Sequence, residues 1–203
     1  NYVRDVDATW SLDSGDLVGV GGTGTSYTYA PDVSGRSGVI RADSTGLTGD
    51  VTGTITVNAG KLSNLAIPTA ADNGGVIYQD SSLTADESLT LYAAGYDSDG
   101  NYLSDEAVEW TSTGSLESIL VTGTTSYTFN PTSTGSGTIV ATSGSISDAS
   151  GTITVSPGAL SSLTIRTAPD NGGSVFGDRT LTTDQEVTFY AAGYDGEGNY
   201  VRD

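Results

Sequence analysis

Residues 88–97 read Ser-Leu-Thr-Leu-Tyr-Ala-Ala-Gly-Tyr-Asp, and their apolar side chains fall on every second position. Leu89, Leu91 and Ala93 alternate with polar or amphipathic residues, which is the pattern of a strand that buries one face. Residues 186–195 repeat this stretch with apolar residues at the same places. Because long apolar periodicity at helical spacing is absent throughout the sequence, the chain is predicted to be all-β.

The same unit recurs along the whole chain. The motif Asn-Tyr-Val-Arg-Asp at 1–5 returns as Asn-Tyr-Leu-Ser-Asp at 101–105 and in its first form at 199–203. The periods are 100 and 98 residues. Matching pairs of segments lie between these marks: 26–29 and 126–129, 53–57 and 151–155, 71–75 and 169–173, and 92–97 and 190–195. A period of this length is the size of one β-sandwich domain, and each unit is predicted to hold about seven short strands around one Trp.

The charge and composition exclude several classes of partner. The chain has 25 Asp and Glu against 7 Lys and Arg, a formal net charge of −18. Nucleic acids and anionic membranes reward clustered basic side chains, and a membrane span needs about 20 apolar residues, so we expect neither nucleic acid binding nor membrane insertion. With no His and no Cys, the chain lacks the usual proton shuttle and thiol nucleophile, and we expect no enzymatic activity.

Several motifs together carry a resemblance to a known family. They are Gly-Lys-Leu-Ser-Asn-Leu at 60–65, Ala-Ala-Gly-Tyr-Asp at 93–97 running into a Gly-Asn hairpin, Trp110, the segment 131–141, and Gly-Thr-Ile-Thr-Val at 151–155. The chain resembles the bacterial Ig-like domains that occur in tandem in surface adhesins and other large secreted proteins. The resemblance implies tandem immunoglobulin-like β-sandwich domains of 98–100 residues in an extracellular or cell-surface setting.

In that family the domain begins at the Gly-x-Leu strand, which sets the expected boundaries. Residues 60–157 then form one complete domain. Residues 1–59 are the C-terminal part of a preceding domain without its first strands, and residues 158–203 are the N-terminal strands of a following one. These end pieces would be completed by a continuing chain or by a neighbouring subunit that docks head to tail. In the second case the Asn-Tyr-Val-Arg-Asp motif would be supplied twice, which favours the continuous array.

The hairpin after each Ala-Ala-Gly-Tyr segment is a candidate Ca²⁺ site. Asp97, Asp99 and Asn101 have the i, i+2, i+4 spacing with which a tight loop directs oxygen atoms at the ion. Oxygen-bearing side chains occupy the same places in the second copy: Asp195, Glu197 and Asn199. A turn in which Asp, Gly and Asn satisfy the backbone geometry explains the same residues, and we favour it. On a hairpin tip these carboxylates should keep ordinary pKa values.

The aromatic residues divide into a core set and an outward set. Trp10 and Trp110 are expected to fill the domain cores. Tyr92 and Tyr190 fall on the outward-facing positions of their strands, where a ring could stack on a sugar or pack against the next domain or chain. We favour the second use and take both residues as interface candidates.

These features together predict a structural module. We expect repeats stacked head to tail, on adjacent repeats or on copies of the same chain, in a stalk, fibre or filament at a microbial cell surface. The Gly-containing junctions at 58–60 and 156–158 would set the angle between neighbouring domains. The alternative is a glycan-binding adhesive module of a surface adhesin or of a secreted enzyme.

Overall fold

The computed structural model describes residues 3–203, and within them every regular element is a β-strand. The prediction of an all-β chain is therefore confirmed. The strands form several separate sheets, as a β-sandwich requires, and the immunoglobulin-like topology stays a prediction. Asn1 and Tyr2, which open the first Asn-Tyr-Val-Arg-Asp motif, lie outside the described residues. Nothing in the described range is a helix long and apolar enough to cross a membrane.

The chain divides into two compact units. The first contains residues 1–64 together with 95–103, and the second contains 65–94 together with 104–203. The hairpin at 97–101 thus belongs to the first unit, although it lies within the sequence repeat that begins at residue 60. The repeat boundaries predicted at residues 60 and 158 rest on sequence similarity and stay a prediction.

The first unit is built on an antiparallel sheet. Its strands are β1 (Ala8–Gly15), β2 (Gly22–Gly24), β3 (Arg36–Asp43), β4 (Asp50–Val51) and β5 (Ile55–Val57). They are arranged in the order β2-β1-β3-β4, and β5 also pairs with β3. Leu17, Ile40 and Val57 are the buried core of this unit, and Trp10 packs against them while remaining half-buried.

The remaining strands are short and mostly antiparallel. In chain order they are β6 (Asn64–Ala66), β7 (Ser81–Thr84), β8 (Leu89–Tyr92), β9 (Ala94–Tyr96), β10 (Tyr102–Asp105), β11 (Val108–Ser112), β12 (Leu120–Thr124), β13 (Ser126–Phe129), β14 (Gly135–Gly137), β15 (Ile139–Ser143), β16 (Ile146–Ala149), β17 (Ile153–Ser156), β18 (Ser162–Arg166), β19 (Tyr190–Tyr194) and β20 (Tyr200–Arg202). They form sheets in the orders β10-β9-β6, β12-β11-β15-β16, β13-β8, β14-β17-β7 and β18-β19-β20. The β7–β17 pair is parallel.

Most of the buried hydrophobic residues of the second unit lie within residues 65–157, and Ala192 is buried as well. The predicted alternation in β8 is confirmed, because Leu91 and Ala93 are fully buried while Leu89 is half-buried at the strand's start. Trp110 is also fully buried, as expected. Trp10 packs against the buried core of the first unit but is itself only half-buried, so it does not fill that core as completely as Trp110 fills its own.

Candidate functional site at the repeat junctions

Asp97 begins the hairpin between β9 and β10, and its side chain is buried. Its Oδ1 accepts the backbone N–H groups of Asp99 at 3.0 Å and Asn101 at 2.8 Å, which closes the turn. Its Oδ2 accepts the N–H of Gly60 at 2.8 Å and the side-chain amide of Asn101 at 3.0 Å. One carboxylate therefore fixes the hairpin to the segment that enters the same sequence repeat.

Asn101 extends this arrangement to the preceding sequence repeat. Its Nδ2 donates to the carbonyl oxygen of Asp32 at 3.0 Å, and its Oδ1 accepts the N–H of Ser34 at 2.9 Å. A side-chain amide can donate and accept at the same time, which a carboxylate cannot do near neutral pH. We call Gly60, Asp97 and Asn101, with the backbone of Asp32 and Ser34, the first junction lock. All of its members lie in the first compact unit.

The same arrangement occurs about one repeat further along the chain. Asp195 is buried, and it accepts the N–H groups of Gly158 at 2.8 Å, Glu197 at 3.1 Å and Asn199 at 2.7 Å. The Asn199 amide donates to Asp195 at 2.9 Å and to the carbonyl oxygen of Thr132 at 3.0 Å. We call Gly158, Asp195 and Asn199, with the Thr132 carbonyl, the second junction lock. It lies wholly in the second compact unit.

A second carboxylate strengthens the second junction. Asp86, which lies just after β7, accepts the N–H of Ala159 at 3.1 Å. A methyl group at Gly158 would lie 2.8 Å from the Asp86 Cγ, so a larger residue there would displace the Asp86 side chain. Hydrogen bonds from Thr84 and from the Ala159 N–H lower the pKa of Asp86. The two carboxylates therefore hold the Gly158–Ala159 segment from two sides.

The electrostatics of both locks favour the ionised carboxylate. The Gly60 N–H, followed by the donors of Asn101 and Asp99, lowers the pKa of Asp97 to about 2 despite its burial. At Asp195 burial acts to raise the pKa, but the N–H donors outweigh it and the pKa is lowered. The expectation of ordinary pKa values at this hairpin is therefore wrong for both residues. Buried N–H donors stabilise a carboxylate strongly where water does not compete for it.

The candidate Ca²⁺ ligands are only partly brought together. Asp97 and Asn101 are in contact, but the side chains of Asp99 and Glu197 are exposed and lie outside the locks. The Asn101 amide directs its N–H, and not its oxygen, at Asp97. Over residues 3–203, no group of three or more His, Cys, Asp or Glu side chains is placed to hold a metal ion. Calcium binding stays a prediction. The backbone hydrogen bonds from Asp99 and Asn101 to Asp97 are those of a tight turn.

The two interface candidates lie at matching places in their repeats. Tyr92 ends β8 and Tyr190 begins β19, and both rings are half-buried. The aromatic pairs near the hairpins are made by other residues, with ring centroids 5.9 Å apart for Tyr96 and Tyr102. The use of Tyr92 and Tyr190 in an interface, or on a glycan, stays a prediction.

Sequence reasoning missed the reach of Asn101 and Asn199 into the preceding repeat. The signal was present, because Asp and Asn are kept four residues apart in both hairpins while the residue between them changes from Asp99 to Glu197. A side chain required only for Ca²⁺ would tolerate Asp in place of Asn at the last position. Retention of the amide in both copies indicates a group that must donate and accept.

No family model matches the chain, and no curated protein matches it. Among solved structures, one similar chain is "Structure of surface layer protein SbsC, domains 4-9". The likeness has a TM-score of 0.36 and 21% sequence identity, and it covers 98% of this chain. This chain spans 29% of the length of that one.

Proposed function

We propose that the chain is a structural module in which immunoglobulin-like repeats are joined end to end at fixed junctions. In this proposal it is part of a stalk or filament at a microbial cell surface and has no catalytic role. Its work is mechanical: each repeat is a rigid body, and the junction locks limit bending between one repeat and the next.

The recurrence of the junction lock is the observation that carries this proposal. In each lock a buried, ionised Asp holds the first glycine of a repeat, and an Asn reaches the backbone of the preceding repeat. Each buried polar atom that lost its partner would cost free energy, so a lock of this kind holds its segments in one arrangement. A flexible linker would need none of these side chains.

The composition supports the same proposal. A net charge of −18 keeps long, repetitive assemblies apart and soluble. The absence of His, Cys and Met leaves few groups that oxidants would damage, which suits an exposed setting. The ion pairs that the structure describes, all in the first unit, join Arg36 to Asp16 and Arg41 to Asp13 and Asp43 at the surface.

A distance measurement tests the rigidity of the first junction. Because the chain has no Cys, spin labels can be attached at Thr9→Cys on β1 and Ser98→Cys on the hairpin, both exposed positions in the first unit. We expect a narrow distance distribution that broadens in the Asn101→Ala variant. Asp99→Ala is the matched control, since it removes a side chain from the same hairpin without touching the lock. A broad distribution in the unmodified lock would contradict the proposal.

Amide exchange provides a second readout of the same variants. The Ser34 N–H donates to Asn101, so Asn101→Ala should speed its exchange by about 5- to 10-fold, the equivalent of one hydrogen bond worth roughly 1 kcal/mol. Asp99→Ala should leave this rate unchanged. Equal exchange in both variants would show that the Asn101 contact does not hold the preceding repeat.

A further inference from the structure

Two loops of the chain carry the same four residues, Asp-Asn-Gly-Gly, at 72–75 and 170–173. One loop follows β6 and the other follows β18. In both loops the Asp and the Asn have a left-handed backbone, with φ between 54° and 57°. Both Asn side chains are exposed, and both loops lie in the second compact unit. The chain therefore presents the same sequence and the same backbone conformation twice.

An asparagine that precedes a glycine is chemically labile. The glycine backbone nitrogen loses its proton and attacks the asparagine Cγ, so that a C–N bond forms. The side-chain amide takes up a proton and leaves as ammonia, and a five-membered succinimide ring remains. Water then opens this ring to aspartate or to isoaspartate. Glycine favours the reaction because it has no side chain to obstruct the approach of its nitrogen.

A hydrogen bond engages the attacking nitrogen in both loops. The Gly74 N–H donates to the carbonyl oxygen of Ala71 at 2.9 Å, and the Gly172 N–H donates to that of Pro169 at 2.8 Å. The nitrogen cannot reach the asparagine Cγ while it is held in this turn. The reaction in the folded chain therefore proceeds from a locally opened loop, and its rate follows the population of that opened state.

A carboxylate holds the start of each loop in the same way. Asp105 accepts the backbone N–H of Asp72 at 3.1 Å, and Asp203 accepts the backbone N–H of Asp170. These two contacts are equivalent in the two repeats. They therefore do not make one loop harder to open than the other.

Arg166 is the residue that distinguishes the two loops. Its Nε donates to the carbonyl oxygen of Gly172 at 2.9 Å, and its Nη2 donates to that of Gly173 at 3.0 Å. Its Nη1 donates to the Tyr194 hydroxyl at 3.3 Å, and that hydroxyl donates to the Asn171 Oδ1. One planar guanidinium thus holds both glycine carbonyls and, through Tyr194, the side chain that would react.

The first loop has a proline at the matching place. Arg166 forms an antiparallel bridge with Val175, and Pro68 forms the same bridge with Ile77. The two residues therefore occupy equivalent positions. A proline side chain has no hydrogen-bond donor, so it cannot hold the carbonyl groups of residues 74–75 as Arg166 holds their counterparts.

We propose that Asn73 is a site of spontaneous deamidation in the folded chain and that Arg166 protects Asn171 from the same reaction. Each hydrogen bond that must break lowers the population of the opened loop by about fivefold. The product carries a new carboxylate, and its isoaspartate form adds one carbon to the backbone of the loop. This modification does not depend on the proposed scaffold function.

Peptide mapping by mass spectrometry measures both sites in one sample of the intact chain, incubated at neutral pH. We expect Asn73 to deamidate at least about fivefold faster than Asn171, because opening its loop breaks fewer hydrogen bonds. In concentrated urea the two rates should become equal, since both loops read Asp-Asn-Gly-Gly. Equal rates in the folded chain, or no reaction at Asn73, would overturn the proposal.

Variants of Arg166 test its protective role. Arg166→Ala should raise the rate at Asn171 to about that at Asn73 and leave the rate at Asn73 unchanged. Arg166→Lys should act in the same direction, because an ammonium group lacks the planar fork that spans two carbonyls. Arg179→Ala, which removes an exposed arginine outside the loop, is the matched control and should change neither rate. Protection of the Gly158 amide shows that each variant stays folded, and an unchanged rate at Asn171 in both Arg166 variants would overturn the protection.

Discussion

Trp10 and Trp110 make the same local contacts in two copies of the repeat but differ in burial. Each indole N–H donates to a carbonyl oxygen 14 residues further along, that of Gly24 at 3.1 Å and that of Thr124 at 3.2 Å. The ring centroids of Trp10 and Tyr27 are 5.9 Å apart, and those of Trp110 and its matching Tyr127 are 6.3 Å apart. Yet Trp110 is fully buried and Trp10 is not.

The difference shows which contacts depend on which half of the repeat. The hydrogen bond and the tyrosine contact are made within the Trp-bearing half, so they form in both copies. Complete burial is seen only in the second unit, where Trp110, Ile67 and Leu91 are all fully buried. Local sheet pairing thus places the Trp, while most of the hydrophobic stabilisation comes from the strands packed over it.

The largest expected effect separates these two Trp residues. Trp110→Ala should destabilise the second unit by about 3–5 kcal/mol, because it leaves a cavity in a closed core. Trp10→Ala should cost the first unit much less, since part of its ring already faces solvent. Hydrogen exchange of β11 and of β1 reports the two units separately. Equal losses in both would contradict the comparison.

A smaller effect is expected from the isoleucine of the covering half. Ile67→Ala should cost about 2–5 kcal/mol at a fully buried position. Ile165→Ala should change stability by less than about 1 kcal/mol, because the Ile165 side chain is exposed. Urea unfolding of the two variants at low protein concentration compares them. A large loss for Ile165→Ala would mean that the third repeat has a core of its own.

The smallest effect concerns the feature that both junctions share. The pKa of Asp97 is lowered to about 2 by the Gly60 N–H and its other donors, and the pKa of Asp195 is lowered as well. A carboxylate whose pKa is lowered in the folded state stabilises the fold at any pH above its unfolded-state pKa, which is near 4. This stabilisation is lost as the pH falls through the folded-state pKa.

Protection of the Gly60 amide should accordingly persist at pH 4 and decline progressively as the pH falls toward about 2. Protection of the Gly158 amide should likewise persist below the ordinary carboxyl pKa, because the pKa of Asp195 is also lowered. The carboxyl carbon shifts of Asp97 and Asp195 in an NMR titration give the same information directly. Asp97→Asn should remove the acid dependence at Gly60 alone. Loss of protection already near pH 4 would show that the lock does not stabilise the ionised form.

Much of the fold could be predicted from residues close together in sequence. The alternation at 88–97 predicted the buried face of β8, since a strand's two faces follow directly from its period. The repeat spacing identified which segments correspond, and therefore that Trp10 is the counterpart of Trp110 in the first copy. These predictions needed only local patterns and self-similarity.

The junction locks could not be derived in the same way. The partners of Asp97 and Asn101 lie 37 residues away at Gly60 and 67 residues away at Ser34. Nothing in the hairpin's own sequence states that its first Asp is buried, so its pKa was expected to be ordinary. The same Asp-x-x-x-Asn spacing suited a turn or an ion site equally well until the donors around it were located.

Hydrogen exchange of individual amides in the intact chain tests most directly whether a repeat is ordered only where its two halves are paired. Residues 126–129 and 89–92 pair with each other, and their amides should therefore be strongly protected. Residues 26–29 and 187–189 form no strand, and their amides should exchange rapidly under the same conditions. Equal protection of all four segments would contradict this.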